Sequence, residues 1–274
     1  MTTKATTGRP DDANAERARP AGAARKVRWG VLSTANIGRA AVVPAIRGSS
    51  NGELVAVASR DLERARAFAG ANGIPEALGS YEALLERDDI DAVYVPLPNS
   101  LHREWTIRAA EAGKHVLCEK PLAMTLHEAK AMAQLAKKMR VRVGLWHNYR
   151  RAPATALAAR MLQRGDLGEV RQVRAVYLQD WLADAKVPAS WRTSRKHCGS
   201  GAHGDLNAHL IDLTRALTGL EFDAVCGVQQ TFTKRRPAGR GRTEKVDVAD
   251  AFCFLAKFRG GAIGTYEATR VAPG

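Results

Sequence analysis

The sequence predicts two consecutive domains: an α/β Rossmann domain with a doubly wound parallel sheet, then an α+β domain with an antiparallel sheet. Between residues 27 and 146, short apolar runs alternate with helical patterns. The runs are continuously hydrophobic, as expected for parallel strands that are buried on both faces of a sheet. After about residue 150, strand-like segments cluster with few helices, which favours a second sheet of antiparallel strands.

Five apolar runs are the predicted strands of the first domain: 27–33, 54–59, 92–98, 115–118 and 141–146. The helical patterns between them lie near 36–47, 61–71, 101–112 and 126–139. Asp61 is the predicted N-cap of the second helix, because its side chain can accept hydrogen bonds from the first backbone amides of that helix. Pro44 falls inside the first helix, so we expect a kink there.

The second domain is predicted to contain two helices and four strands. The helices span 154–164 and 204–218, and the strand-like segments lie near 169–180, 222–232, 247–258 and 262–269. The last two segments meet at Gly260-Gly261, which is typical of a hairpin turn. We place the two domains at 26–150 and 151–274, after a disordered tail at 1–25 that is polar and rich in Ala, Arg and Pro.

The chain has 274 residues and a formal net charge of +14. Its positive residues are spread along the sequence and no recognisable nucleic-acid-binding motif accompanies them, so a nucleic-acid partner is disfavoured. The densest cluster, KRRPAGRGR at 234–242, is interpreted as a solvated loop because it contains Gly and Pro. The charge still favours an anionic ligand such as a phosphorylated cofactor.

No stretch approaches the roughly 20 apolar residues that a transmembrane helix requires, and the N-terminal segment lacks the apolar core of a signal peptide. The four cysteines, which show no metal-binding spacing, are Cys118, Cys198, Cys226 and Cys253. We therefore predict reduced and mostly buried thiols, no metal site, no membrane partner and a cytoplasmic location.

The segment GVLSTANIGRA joins the first strand to the first helix, where a dinucleotide site carries G-x-G-x-x-G. With Gly38 as the third glycine, Ser33 and Ala35 take the first two positions, and Asn36 and Ile37 complete the turn. The small residues in those two positions permit a pyrophosphate to approach the backbone closely. A tight strand–helix turn without a ligand is the alternative interpretation.

The second strand ends at Ser59 and Arg60, and Arg64 follows one helical turn later. An NAD site usually carries a carboxylate here, whereas a basic residue suits the 2′-phosphate of NADP. Arginine can contact a phosphate through two hydrogen bonds and stack on adenine. We therefore predict NADP as the preferred cofactor and NAD as the second choice. The alternative is that these arginines are only solvated.

Five further motifs follow in chain order: VPLPNSLHREW at 95–105, AGKHVLCEKPLAMT at 112–125, NYRRAP at 148–153, SWR at 190–192 and GDLNAHLIDL at 204–213. Together with the strand–helix turn they resemble the Gfo/Idh/MocA oxidoreductases, the family of glucose–fructose oxidoreductase and inositol dehydrogenase. The resemblance implies an N-terminal NAD(P)-binding Rossmann domain. It also implies a C-terminal domain whose open-faced, mostly antiparallel sheet holds the substrate and mediates oligomerisation.

By this resemblance Lys120 of the EKP motif lies near the reacting hydroxyl and Glu119 lies beside the cofactor. The Lys120 charge can orient the substrate oxygen and stabilise alkoxide character. Asp205 and His209 are spaced i and i+4 and share one helical face. The resemblance makes His209 the general acid/base, with a pKa near its ordinary value. Asp205 binds substrate hydroxyls or polarises the imidazole, and Asp212 orients His209. The structural alternatives are a Lys120–Glu119 ion pair and a satisfied histidine under the sheet.

Other matched residues are expected beside the cofactor. In relatives, the segment of Trp191 and Arg192 approaches the nicotinamide, as does that of Asn148 and Tyr149. The loop that lines the middle of the cofactor is matched by Pro96, Leu97, Asn99 and His102. His102 is equally compatible with a helix-start histidine that makes a local hydrogen bond.

The chain is expected to end early, because GGAIGTYEATRVAPG resembles a strand and turn in a domain that continues in relatives. A four-stranded remnant would leave an unpaired edge and an uncovered apolar face. We therefore expect poor expression or association through that edge. For a complete domain, the expectation is a homo-oligomer that forms through the C-terminal sheet.

The predicted function is NAD(P)-dependent transfer of a hydride between the nicotinamide and a hydroxyl or carbonyl carbon. The predicted partner is a small-molecule sugar, polyol or related compound. The alternative is a truncated, catalytically weak NADP(H)-binding or regulatory module. Lys120→Met separates these hypotheses, because it should stop turnover and leave cofactor binding nearly intact.

Overall fold

The computed structural model describes residues 25–273. The predicted tail at 1–25 therefore lies outside the described residues, apart from Arg25. The described residues form a six-stranded sheet, a four-stranded sheet and a two-stranded hairpin.

The first sheet is parallel throughout and has the strand order β3-β2-β1-β4-β5-β6. Its strands are β1 (Val27–Leu32), β2 (Gly52–Ala58), β3 (Glu76–Leu78), β4 (Ala92–Val95), β5 (His115–Glu119) and β6 (Val143–Trp146). The predicted doubly wound sheet is confirmed. The strand order reverses between β1 and β4, and ligands of such sheets bind beyond the carboxyl ends of the strands at this point.

Five helices connect these strands: α1 (Val43–Gly48), α2 (Leu62–Asn72), α3 (Tyr81–Leu85), α4 (Asn99–Glu111) and α5 (Leu126–Met139). Asp61 caps α2 as predicted, since its Oδ1 accepts the amides of Glu63 and Arg64 at 3.0 and 3.2 Å. The prediction missed β3 and α3, which are too short to show a periodic pattern.

The first helix differs from its prediction. A π-helical segment at 38–42 precedes α1, and Pro44 lies in the first turn of α1. A helix tolerates proline there, because the first amides have no intrahelical acceptor. The expected kink inside one helix is therefore replaced by a change of helix type.

The second domain packs a four-stranded sheet against one long helix. Its elements are α6 (Pro153–Gln163), β7 (Gln172–Leu178), α7 (Arg195–Cys198), α8 (Ala208–Thr218), β8 (Phe222–Gln230), β9 (Arg235–Pro237), β10 (Thr243–Lys245), β11 (Ala251–Phe258) and β12 (Ile263–Thr269). The sheet order is β7-β12-β11-β8, with β7 parallel to β12 and the other two pairings antiparallel. The mostly antiparallel second sheet is thus confirmed.

The two faces of this sheet have different surroundings. On the inner face, Phe254, Phe258 and Tyr266 form a core cluster that packs against α8. On the outer face, Val228 and Leu255 are 71% and 61% exposed. The described part of the domain therefore leaves one face of the sheet open.

The segment 234–242 is only in part the solvated loop that was predicted, since residues 239–242 are exposed but Arg235–Pro237 form a strand. It forms most of the β9–β10 hairpin, in which Arg236 is fully buried. The Arg236 Nη1 donates to the carbonyl of Asp184 at 2.9 Å, and Nη2 donates to that of Leu182 at 2.6 Å. Backbone carbonyls thus accept from Nη1 and Nη2 in place of water, whereas Nε has no partner among residues 25–273.

The cysteines divide equally between interior and surface. Cys118 and Cys198 are buried, whereas Cys226 and Cys253 are exposed, so the prediction of mostly buried thiols is wrong for two of the four. The exposed pair lies on β8 and β11, whose outward positions have no covering element in the described residues. Among residues 25–273, no helix is both long and apolar enough to cross a membrane.

Candidate active site

A cavity of about 900 Å³ lies where the carboxyl ends of the parallel strands face the second domain. The predicted site residues that line it from the first domain are Ser33, Ala35, Asn36, Ile37, Ser59, Arg60, Arg64, Pro96, Leu97, Asn99, Glu119, Lys120, Asn148 and Tyr149. The second domain contributes Trp191, Arg192, Asp205 and His209. Gly38, His102 and Asp212 are the predicted residues that do not line it.

The strand–helix turn opens onto this cavity. Ser33 has a φ of 133°, in the region that favours glycine, and its Oγ accepts the Ala35 amide at 3.1 Å. Gly38 is buried behind the turn, and a Cβ there would lie 3.6 Å from the Tyr94 ring. Gly38 thus occupies the position of the third glycine of a dinucleotide fingerprint, although the space there would admit a methyl group.

Two arginines line the cavity beyond the end of β2. Asp61 also lines it, but its carboxylate caps α2. Burial raises the pKa of the neighbouring Tyr81, and the positive charges of Arg60 and Arg64 oppose this shift. This end of the cavity therefore presents cationic groups beside an aromatic ring.

His102 has a structural position. It is fully buried, and its ring nitrogens lie 2.8 Å from the Leu97 oxygen and 2.7 Å from the Pro121 oxygen. Burial lowers the pKa of the imidazole, although hydrogen bonds to the two carbonyls oppose the shift. His102 thus joins the loop after β4 to the EKP segment. The predicted cofactor contact is replaced by the alternative of a locally bonded histidine.

Glu119 and Lys120 make separate contacts. The Tyr94 hydroxyl donates to the Glu119 Oε1 at 2.5 Å, and burial raises the pKa of this carboxyl group. The Lys120 Nζ crosses the domain boundary and donates to the Asp205 Oδ1 at 2.8 Å and to its carbonyl at 2.7 Å. The ion pair of Lys120 is therefore with Asp205 and not with Glu119.

Asp205 lies in a π-helical segment, His203–Asn207, directly before α8. Burial opposes ionisation of its carboxyl group, but the Lys120 ammonium outweighs burial and the pKa of Asp205 is lowered. Such π-helical turns occur frequently at functional sites. An ionised carboxylate and an ammonium therefore meet inside the cavity.

His209 is only 7% exposed. Burial first, and then the positive charges of Lys120 and His147, lower its pKa to about 3. The prediction of an ordinary pKa is therefore wrong, and the imidazole is neutral at pH 7. Among residues 25–273 its enclosed Nδ1 has no hydrogen-bond partner, which leaves Nε2 as the nitrogen available to the cavity.

Neither predicted carboxylate orients His209. Asp205 bonds to Lys120, and Asp212 bonds instead to Arg150, whose Nε donates to its Oδ2 at 2.7 Å. The Asp212 Oδ1 also lies 3.7 Å from the His147 Nε2. The shared helical face places both carboxylates close to His209. Each carboxylate nevertheless pairs with a cationic side chain, because a charged donor binds it more strongly than a neutral imidazole does.

Sequence reasoning missed Tyr177, which pairs with the expected Tyr149 beside His209. The Tyr149 and Tyr177 hydroxyls lie 2.5 Å apart, and the Tyr149 ring centroid is 4.6 Å from that of His209. Both tyrosines line the cavity, and burial is the main cause that raises the pKa of Tyr177 to about 12. The alternating burial of β7, which turns Tyr177 inward, is the signal that identifies it.

Trp191 and Arg192 close the cavity from the second domain. The Arg192 guanidinium stacks 4.3 Å from the centroid of the Trp191 ring. The fully buried Arg270 donates from Nη1 to the Arg192 carbonyl at 2.9 Å. A buried cation at the end of β12 thus fixes the backbone of this segment.

Comparison with known proteins gives two family matches. Residues 27–147 match the NAD-binding Rossmann fold of an oxidoreductase family, and residues 155–274 match the GFO/IDH/MocA C-terminal domain. A levoglucosan dehydrogenase of Pseudarthrobacter phenanthrenivorans is 40% identical over 237 residues, which are 81% of this chain and 60% of the relative. A D-xylose 1-dehydrogenase (NADP(+)) of Haloferax volcanii is 46% identical over 162 residues, 58% of this chain and 49% of the relative.

A solved structure of levoglucosan dehydrogenase, in complex with NADH and L-sorbose, superimposes with a TM-score of 0.85 at 38% identity. The match covers 92% of this chain and 68% of that one. The chain therefore spans about half to three fifths of the length of the two curated relatives.

Proposed function

Because the chain belongs to the Gfo/Idh/MocA oxidoreductase family, we propose that it catalyses NAD(P)-dependent oxidation and reduction at a hydroxyl or carbonyl carbon of a sugar or polyol. One observation carries the proposal. The Lys120 ammonium from the first domain and the Asp205 and His209 side chains from the second line a single cavity. That cavity opens where a doubly wound sheet binds its ligands.

The residues of the cavity fit a dinucleotide. The glycine-like backbone at Ser33 and the buried Gly38 suit a pyrophosphate beside the first helix. The Ser33 Oγ donates to the Pro96 carbonyl at 3.3 Å, so the turn adjoins the loop of Pro96 and Asn99, which lines the same cavity as the EKP segment. When bound, the nicotinamide would supply or accept the hydride.

Lys120 and His209 divide the remaining chemistry between them. Asp205 accepts two of the three Lys120 N–H donors, through its carboxylate and its carbonyl. The third donor is free to bind the substrate oxygen and to stabilise the negative charge that develops there. The neutral His209 accepts the hydroxyl proton at Nε2 during oxidation and returns it during reduction.

The cofactor preference that we propose is NADP, with NAD as the second choice. Arg60 and Arg64 support it, because a guanidinium recognises the 2′-phosphate that only NADP carries. The relatives include both an NADP(+)-named xylose dehydrogenase and a levoglucosan dehydrogenase with NADH. These names, with levoglucosan and L-sorbose, also support a sugar or polyol as the substrate class.

We further propose a cytoplasmic enzyme that forms a homo-oligomer. The four free cysteines, with no disulfide in the described residues, suit a reducing compartment. The open apolar face of the second sheet supports association between copies.

The test combines cofactor binding with turnover. Nicotinamide fluorescence measures the affinities for NADPH and NADH, and a panel of sugars and polyols is then assayed with NADP⁺ and NAD⁺. Lys120→Met should lower kcat/KM by about 10²–10³ and leave the cofactor Kd within about twofold. Lys130→Met, on the exposed side of α5, is the matched control and should behave like the unaltered protein.

Two results count against this function. Turnover that is unchanged in Lys120→Met removes Lys120 from the catalytic group. Cofactor binding without turnover of any compound in the panel favours the alternative, an NADP(H)-binding or regulatory module.

A further inference from the structure

His147 lies directly behind His209, on the side away from the cavity. Trp146 and Asn148 line the cavity, but the intervening His147 does not. Its ring meets that of His209 edge to face, with centroids 5.6 Å apart and planes inclined by 80°. The His147 side chain is 12% exposed. The two imidazoles therefore lie one behind the other, from the cavity toward the surface.

The two rings leave matching nitrogen atoms without partners. Nδ1 of His147 and Nδ1 of His209 are both enclosed, and neither has a hydrogen-bond partner among residues 25–273. An unpaired nitrogen in the interior costs about 1–3 kcal/mol, so two such atoms on neighbouring rings call for an explanation. The two nitrogens are not hydrogen-bonded to each other in this arrangement. One water between them, or a rotation of one ring, would let a single proton satisfy both.

On the side away from His209, His147 faces Asp212, which lies close to solvent through its exposed partner Arg150. The His147 Nε2 lies 3.7 Å from the Asp212 Oδ1, and Asp212 is in turn paired with Arg150, whose side chain is 50% exposed. Burial lowers the pKa of His147, Asp212 opposes the shift, and the charges of Arg150 and Lys120 add to it. Asp205 and Asp212 face His209 with negative charge, and Lys120 faces it with positive charge.

We propose that His147 carries the reaction proton between His209 and solvent, with Asp212 at the outer end of the path. This role rests on the proposed function, which needs such a path. Oxidation of an alcohol releases one proton, and substrate in the cavity blocks its direct escape from a residue that is 7% exposed. Because its pKa is about 3, His209 does not retain that proton at neutral pH.

The transfers balance. The substrate O–H bond breaks and its proton adds to the His209 Nε2. The His209 Nδ1–H proton then moves to the His147 Nδ1, and the His147 Nε2–H proton leaves past Asp212 to water. One proton enters the path and one leaves it, and both rings are neutral again. Exchange of ring protons with solvent between turnovers restores the starting tautomers, and reduction of a carbonyl runs the same path inward.

The first measurement needs no substrate. Nitrogen NMR of the histidine side chains reports the protonation of His209 in the free protein. His147→Gln removes a neighbouring positive charge, so the pKa of His209 should move back toward its ordinary value. His203→Gln is the matched control: this histidine is also half buried with an unpartnered Nδ1, but it packs on Phe252, 4.4 Å between ring centroids. His203→Gln should leave the His209 signals unchanged. If His209 titrates in His147→Gln as it does in the unaltered protein, the coupling between His147 and His209 is overturned.

The second measurement uses turnover with the best substrate of the panel. His147→Gln should lower kcat at least about tenfold, with KM and cofactor Kd little changed. The solvent deuterium isotope effect on kcat should increase, and imidazole in the buffer should restore part of the rate. His147→Asn is the second variant if the first does not fold. A normal kcat, or a loss that imidazole does not restore, shows that the proton leaves elsewhere. Absence of turnover in the unaltered protein overturns the proposed function, and the NMR result still decides the coupling.

Discussion

At His209, burial and neighbouring charge act in the same direction. The side chain is 7% exposed, and the positive charges of Lys120 and His147 act on it. Burial and both charges penalise the imidazolium, so the folded protein holds a neutral imidazole. The lowered pKa of His209 should also make the folding stability of the protein depend measurably on pH.

The pKa of His209 is about 3 in the folded protein, whereas an unfolded histidine has a pKa of about 6.5. Between these values the unfolded chain binds more protons, so folding stability falls as the pH falls. From about pH 7.5 to pH 5.0 this one group should cost about 2 kcal/mol. Denaturant unfolding at both pH values should show that His209→Gln lacks this part of the loss.

The exposed His127 supplies the control, since His127→Gln should keep the pH dependence of the unaltered chain. Equal losses of stability in His209→Gln and the unaltered protein between the two pH values would contradict the shifted pKa.

The proposed cofactor preference also depends on individual residues. Replacing Arg60 and Arg64 together by alanine removes two cations from the end of β2. Hydrogen bonds to charged groups contribute about 1.5–3 kcal/mol each, so the Kd for NADPH should rise at least about tenfold while that for NADH changes little. Arg66→Ala, on the same helix but paired with Glu63, should alter neither affinity. An equal loss of affinity for NADPH and NADH in the double variant would show that the arginines contact a part of the cofactor that both molecules share.

Single residues also mark the limit of sequence-based prediction. The family resemblance pointed to Lys120, Asp205 and His209, and all three line one cavity. It did not identify that Asp205 bonds to Lys120, because partner choice depends on side-chain direction and on competition between charges. Tyr177 was missed because the sequence of an alternating strand does not show whether an inward-facing tyrosine faces the core or a cavity.

At the scale of elements, long periodic segments were predictable and short or unusual ones were not. Helix α5 begins and ends at the predicted residues, since Thr125 caps it and its apolar face repeats regularly. Strand β3 and helix α3 are too short for a period to appear. The β9–β10 hairpin was missed for another reason: an arginine-rich segment is expected to be solvated, and Arg236 is buried against backbone carbonyls.

The hairpin provides a stability prediction. Arg236→Met keeps much of the side-chain volume but leaves the carbonyls of Leu182 and Asp184 without their donor. We expect the free energy of unfolding to fall by about 2–4 kcal/mol, measured by denaturant titration. Arg235→Met alters the adjacent exposed arginine, whose hydrogen bonds to Thr243 are at the surface. It should cost less than about 0.5 kcal/mol. An equal loss of unfolding free energy in Arg236→Met and Arg235→Met would show that the buried hydrogen bonds of Arg236 add no stability of their own.

At the scale of the whole molecule, several side-chain contacts join the domains beside the cavity. In two of them, Lys120 bonds to Asp205, and the Asn99 Nδ2 donates to the Cys198 carbonyl at 2.9 Å. These contacts hold the cavity lining of one domain against that of the other. The opposite face of the second sheet has no comparable partner within residues 25–273, and it carries exposed Val228 and Leu255.

That open face is where copies of the chain should associate. Val228 and Leu255 stand on neighbouring strands, 71% and 61% exposed, and water contact with such a surface is unfavourable. Sedimentation velocity of the unaltered chain should therefore show a species larger than the monomer that becomes more abundant with concentration. Val228→Lys with Leu255→Lys places two like charges on each copy's face, and the larger species should be lost. Leu126→Lys changes a residue that is 70% exposed on α5, far from this sheet in sequence, and should assemble normally. A protein that stays monomeric at every concentration, or a double variant that assembles as before, would exclude this face as the interface.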